Sequence, residues 1–157
     1  MRIEEEQMDD IKYNIAETDE YAKLVEFMIA NQLEFTKEDA EEVPTDLVKC
    51  WEITDSAGNL IGGFVLAKRQ GEYICDGIAV DGSRRGENLG TELLNKGIEE
   101  TKSLGGRRMY LVARAPEFFR KNGFVTIPRE EAPNFFECLT CPQYGKTCHP
   151  EVMKIEF

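Results

Sequence analysis

Between Ile78 and Gly90 an apolar run breaks into the basic, glycine-bearing stretch Asp81, Gly82, Ser83, Arg84, Arg85, Gly86, Glu87, Asn88, which opens directly into a second apolar periodicity. A strand that passes through such a loop into a helix brings the helix N-terminus to the strand's end. The first N–H groups of a helix have no intrahelical partners and carry the positive end of the macrodipole, so they suit a phosphate. Glycine lets the backbone approach closely, and Arg84 and Arg85 add positive charge. The segment is therefore expected to cradle a pyrophosphate.

Neither familiar nucleotide pattern fits, because the glycines are not in the G-x-G-x-x-G register and no lysine follows them. The residues resemble instead the coenzyme A loop of the GNAT superfamily of N-acetyltransferases, Q/R-x-x-G-x-G/A after a strand. Here it reads Arg85, Gly86, Glu87, Asn88, Leu89, Gly90. Asn88 replaces the first glycine of the pattern, and asparagine is the side chain that best tolerates left-handed backbone. A helix follows over 90–104, with Leu89, Leu93, Leu94 and Ile98 at helical spacing and Gly97 allowing close approach to a sheet. Next come a strand over 108–112 and a short helix from Pro116, with Gly123 as its left-handed stop. That helix is similar to the family's F-Y-x-x-x-G-F hallmark, so the resemblance spans 72–124.

The resemblance implies an α/β single-domain GNAT fold over 1–157, with residues 1–10 an acidic, flexible lead, and acetyl-CoA as co-substrate. The sheet would be mixed and mostly antiparallel, with helices on both faces. It implies that Ile78, Ala79 and Val80 hold the acetyl carbonyl and the pantetheine. Arg85, Gly86, Glu87, Asn88, Leu89, Gly90 and Thr91 would bind the pyrophosphate, with Phe119 and Lys121 contributing from the hallmark helix. Phe119 stands where the family commonly has a tyrosine acid; such acids typically contribute roughly 100- to 10,000-fold. Glu72 and Asp76, on one face of the strand leading into the cradle, are candidate bases acting through water, or simply edge carboxylates.

Composition bounds the rest. The chain of 157 residues has 41% apolar content, enough for one core. No apolar run approaches the roughly 20 residues that span a bilayer, the start is acidic, and an odd number of cysteines argues for reduced thiols, so a cytoplasmic protein is expected. Residues 1–60 carry a formal charge of −12 and residues 61–157 of +1. This excludes a nucleic-acid binder. The acidic half either keeps the protein soluble or steers a cationic acceptor.

The remaining segments predict a strand over 11–16, helices over 19–32 and 37–43, a hairpin of strands over 48–54 and 60–68, and a strand over 72–80. The order is β-α-α-β-β-β-α-β-α-β. Cys138, Cys141, Cys148 and His149 form a candidate Cys3His zinc set, disfavoured because Cys148 and His149 are adjacent. The same run is similar to the tail of short N-acetylglutamate-synthase-like members, followed by a last strand over 152–157. That likeness points to an amino-acid acceptor, with Arg114 or Arg69 clamping its carboxylate. The expected function is acetyl transfer to the amine of a small molecule or amino acid by direct attack in a ternary complex. The alternatives are a protein lysine or N-terminal acetyltransferase, a coenzyme-binding regulatory module and a zinc-stabilised interaction domain. A homodimer is one assembly open to the chain.

Overall fold

The computed structural model describes residues 13–31, 46–82, 88–113, 116–128 and 151–157. The expected helix over 37–43 and the zinc set lie outside these residues. The elements are β1 (Tyr13–Thr18), α1 (Tyr21–Ala30), β2 (Leu47–Asp55), β3 (Leu60–Arg69), β4 (Glu72–Val80), α2 (Leu89–Ser103), β5 (Arg108–Ala113), α3 (Pro116–Lys121), β6 (Val125–Thr126) and β7 (Glu151–Glu156). They build one seven-stranded sheet in the order β1-β2-β3-β4-β5-β7-β6. Neighbours are antiparallel except β4 and β5, which run parallel and are joined by α2, as a parallel pair requires a crossover.

Local chemistry sets the ends of these elements. Asp55 Oδ1 accepts from the amides of Ala57 (3.0 Å) and Asn59 (2.8 Å), folding the β2–β3 hairpin on an Asx turn with Gly58 at φ +86°. β1 runs two residues later than expected, because Glu17 and Thr18 still pair with Trp51 and Cys50. Thr18 Oγ1 then accepts the Glu20 amide and turns the chain into α1. α2 stops on Gly105 (φ +87°), whose amide bonds Lys102 while that of Gly106 bonds Thr101 at 2.8 Å.

Strand alternation sends apolar side chains to both faces. On one face Trp51, Ile53, Phe64, Leu66, Met109 and Leu111 pack under Leu89, Leu93 and Leu94 of α2. Gly97 makes this possible, since a Cβ there would lie 2.4 Å from Phe64 Cζ. On the other face Cys50, Val65 and Ala79 meet Tyr21, Leu24, Val25 and Met28 of α1, and Ala67, Ile74, Tyr110 and Val152 form a separate cluster. β6, only two residues long, is not foreseen from the sequence; it exists because it pairs with β7.

Candidate active site

β4 changes character halfway along. Its pairing with β5 covers only Tyr73↔Met109 and Ile74↔Tyr110, whereas its pairing with β3 continues to Val80. From Cys75 onward the two parallel strands part, leaving a wedge at the sheet's centre. The β3 register shows why. Val65 pairs with Gly77 and the next residue, Leu66, with Cys75, so Asp76 is an extra residue bulged out of β4. The bulge flips the strand's facing: Tyr73 and Cys75 belong to the α2 cluster, whereas Ala79, also odd-numbered, belongs to the α1 cluster.

Main-chain direction in the wedge follows from one bond. The Asp81 amide donates to the Ile61 carbonyl at 2.8 Å, and residues of an antiparallel strand alternate in sending their N–H and C=O to that neighbour. Counting back, Ala79 and Gly77 direct theirs to β3, while Val80 and Ile78 direct theirs to the β5 side. No strand among the described residues pairs with them there. Of the three residues expected to hold the acyl and pantetheine groups, Ile78 and Val80 thus offer backbone groups to the wedge, and Ala79 keeps its own in the sheet.

The helix after the wedge starts as its sequence requires. Asn88 caps α2 in left-handed backbone (φ 61°, ψ 19°) without a side-chain capping bond, and the first helical bond runs from Glu92 N–H to Asn88 C=O at 3.1 Å. The amides of Leu89, Gly90 and Thr91 precede that bond and have no intrahelical acceptor. Gly90 has a further reason to be glycine: a Cβ there would lie 3.1 Å from Phe118 Cζ, so α3 docks on the start of α2 through this gap. Glu92, in the first turn, accepts the Tyr13 hydroxyl at 2.6 Å.

α3 ends in a left-handed lock. Gly123 (φ +95°) donates to Arg120 and Phe124 donates back to Phe119 at 3.0 Å. The rings of Phe119 and Phe124 pack edge to face with centroids 5.8 Å apart, the apolar contact that accompanies such a stop. Phe118 lies 5.1 Å from Phe119, again edge to face. Phe119 therefore has a packing role that needs a ring and no hydroxyl. Lys121 is exposed in the last turn.

The two candidate bases share a strand but not a place. Glu72 begins β4, roughly 25 Å from Val80 at the usual ~3.3 Å rise per residue, and is held by Arg108 Nε at 3.1 Å. Asp76 is the bulge residue itself, beside the wedge, and accepts Arg69 Nη2 at 3.0 Å. Arg69 Nε is bonded to Asp46. Of the two arginines expected as alternative clamps for a substrate carboxylate, Arg69 has its Nη2 and Nε engaged by Asp76 and Asp46. Burial pulls this guanidinium's pKa down, but the two carboxylates raise it overall. Arg85, Gly86, Glu87 and Arg114 lie outside the described residues.

Of the described thiols, Cys75 precedes the bulge on β4 and Cys50 lies on β2, and both are buried. Burial, then the charge of Asp76, pushes Cys50 up to about 12. The same causes raise Cys75, opposed by its hydrogen bond with the Gly77 backbone. Reactive cysteines need the opposite shift. Among the described residues no cluster of His, Cys, Asp or Glu side chains could hold a metal ion, and no helix is long and apolar enough to cross a membrane. The bulge is the functional feature that the sequence reading missed, and Gly77, an isolated glycine within a strand pattern, is the signal that marks it.

Known proteins align with this architecture. Among curated proteins the sequence finds no match. An acetyltransferase of the GNAT family from Staphylococcus aureus superposes with a TM-score of 0.73 at 21% identity, over 92% of this chain and 98% of that one. A GNAT family acetyltransferase from Elizabethkingia anophelis with acetyl-CoA bound gives 0.65 at 17%, over 94% and 99%. N-acetylglutamate synthase from Neisseria gonorrhoeae, complexed with coenzyme A and N-acetyl-glutamate, gives 0.68 at 17%, over 92% of this chain and 35% of that one. The family model for the acetyltransferase (GNAT) family matches residues 8–124, and with this wedge and helix start in place the chain belongs to the GNAT acetyltransferases.

Proposed function

We propose that the protein transfers an acetyl group from acetyl-CoA to the amine of a small molecule or amino acid, by direct attack in a ternary complex. The carrying observation is the wedge that opens at Asp76, with backbone groups of Ile78 and Val80 turned into it and α2 starting just beyond. Pantetheine is an amide-bearing chain that can add to such an edge as a strand would. The α2 amides, with Arg85 and Gly86 from the loop, would hold the pyrophosphate. An N–H in the wedge would stabilise the oxyanion of the tetrahedral intermediate. Direct transfer is supported by the two described thiols, since an acyl-cysteine intermediate at either would need a thiolate that burial disfavours at Cys50 and Cys75.

Asp76 is the candidate base that the bulge leaves beside the wedge, and Glu72 is too distant to share the task. With Arg69 engaged, an amino-acid carboxylate would fall to Arg114. A coenzyme-binding module without turnover is the second reading, favoured by the packing of Phe119, which has no hydroxyl to protonate the thiolate. Calorimetric titration with acetyl-CoA, coenzyme A and a nicotinamide dinucleotide tests the first step. Binding of only the two coenzyme A species supports the site, and no binding refutes it. Thiol release over a panel of amines and amino acids then separates transferase from module.

A further inference from the structure

A bulged residue stands outside the register of the ladder, so side-chain contacts bear on its position, and with it on the direction in which the strand continues. At Asp76 one such contact is with Arg69. The register partner of Arg69 is Glu72, yet Glu72 is held by Arg108. Arg69 instead reaches along β4 to Asp76, with Nη2 3.0 Å from Oδ2. Its Nε is bonded to Asp46, the residue before β2, and the Asp46 carbonyl accepts the Lys68 amide at 2.9 Å. One guanidinium thus fastens the bulge of β4 to the starting edge of β2 from a position on β3. The three side chains are about three-quarters buried, with 25%, 27% and 19% of Arg69, Asp46 and Asp76 exposed. The planar fork reaches two carboxylates in different directions, which an ammonium on a flexible stem does not reproduce.

We propose that Arg69 is a positioning residue for acyl transfer: by gripping Asp76 it sets the path of Gly77–Val80, and so the aim of the Ile78 and Val80 backbone groups in the wedge. The assignment rests on the reading that these groups hold the coenzyme. Arg69 touches neither substrate nor reacting atoms in this scheme.

The experiment compares wild type, Arg69→Met, Arg69→Lys, Asp76→Asn and the Arg69→Met/Asp76→Asn double variant. Acetyl-CoA affinity is measured by calorimetry and the Gly77–Val80 amides are followed in nitrogen-15 spectra. Arg69→Met is expected to shift those amides and weaken acetyl-CoA about tenfold, the scale of a sub-ångström misplacement. Arg69→Lys should recover less than half of that loss, and adding Asp76→Asn to Arg69→Met should weaken binding no further, because both act through one contact. Affinity within about twofold of wild type in folded Arg69→Met, unmoved amides, or additive losses would overturn the proposal. If Arg69→Met does not fold, Asp76→Asn, which keeps the side-chain size, carries the same comparison. Shifted amides in a protein whose wild type binds no acetyl-CoA would retain the grip on the bulge and refute the coenzyme assignment instead.

Discussion

The two halves of β4 have the same neighbours in the sheet and opposite duties. From Glu72 to Ile74 the strand lies between β3 and β5 and, at Tyr73 and Ile74, is paired on both sides; from Cys75 to Val80, the Asp76 bulge aside, its pairing among the described residues is with β3. The first half anchors the sheet's centre, with Ile74 fully buried among Ala67, Tyr110 and Val152. The second half leaves main-chain groups available, which a central strand ordinarily does not. One inserted residue separates the two. A sheet can therefore host a binding site at its middle without losing its core, provided that the strand is turned after its foundation is complete.

Substitutions along β4 separate foundation from site. Ile74→Ala is expected to cost about 3 kcal/mol, the usual range for a fully buried aliphatic truncation, measured by urea denaturation, while acetyl-CoA affinity of the folded protein stays at the wild-type value. Proline substitutions at adjacent positions test the alternation itself. Ala79→Pro removes an N–H from the β3 ladder and is expected to cost 2 kcal/mol or more, on the order of the penalty for a buried carbonyl left unpaired. Ile78→Pro removes an N–H that faces the wedge, so its larger effect should be on acetyl-CoA affinity in calorimetry. Equal stability losses at both positions would contradict the alternation.

The buried thiols, Cys75 on β4 and Cys50 on β2, report the packed interior of the sheet through pH. A thiol raised on folding keeps its proton where the unfolded chain has lost it, so stability is lost as pH climbs above the unfolded value of 9.0 toward the folded value of about 12 at Cys50. That amounts to roughly 1–2 kcal/mol per thiol at pH 10, and Cys50→Ala should flatten the denaturation midpoint over this range. The smallest effect is expected where the open half hands over to α2. Asn88→Ala should cost about 1 kcal/mol for left-handed backbone, and Asn88→Gly should leave the thermal midpoint unchanged or raise it slightly.

Much of this was legible in the sequence because it is local. Alternation, the Asp55–Asn59 turn and the glycine stops fix β1 to β5, the three described helices and β7 to within two residues. Asn88 adopts the left-handed backbone expected of it, and Gly97 lies against Phe64 as a close-approach glycine should. The bulge was not read, because one inserted residue at Asp76 is defined only against the register of β3. The grip of Arg69 was hidden for a like reason: Asp46 and Asp76 lie 23 and 7 residues away in sequence and meet only in the sheet. β6 is too short to carry a periodicity and depends on a strand 25 residues later. The Phe118, Phe119 and Phe124 packing explains a phenylalanine that, read against the family pattern, was simply a missing acid.

The insertion of β7 between β5 and β6 imposes an order on the protein's birth. A ribosome releases the chain from its N-terminus, so β1 to β4 can zip as a meander of neighbours, while β5 emerges with its outer edge bare. That edge, and the docking of β6, must wait for residues 151–156 to be made. Non-local pairing of this kind slows folding and leaves an adhesive strand exposed in the interval. The far wall of the wedge is thus the last part of the sheet to set, and the nascent protein can acquire its meander well before it can acquire its site.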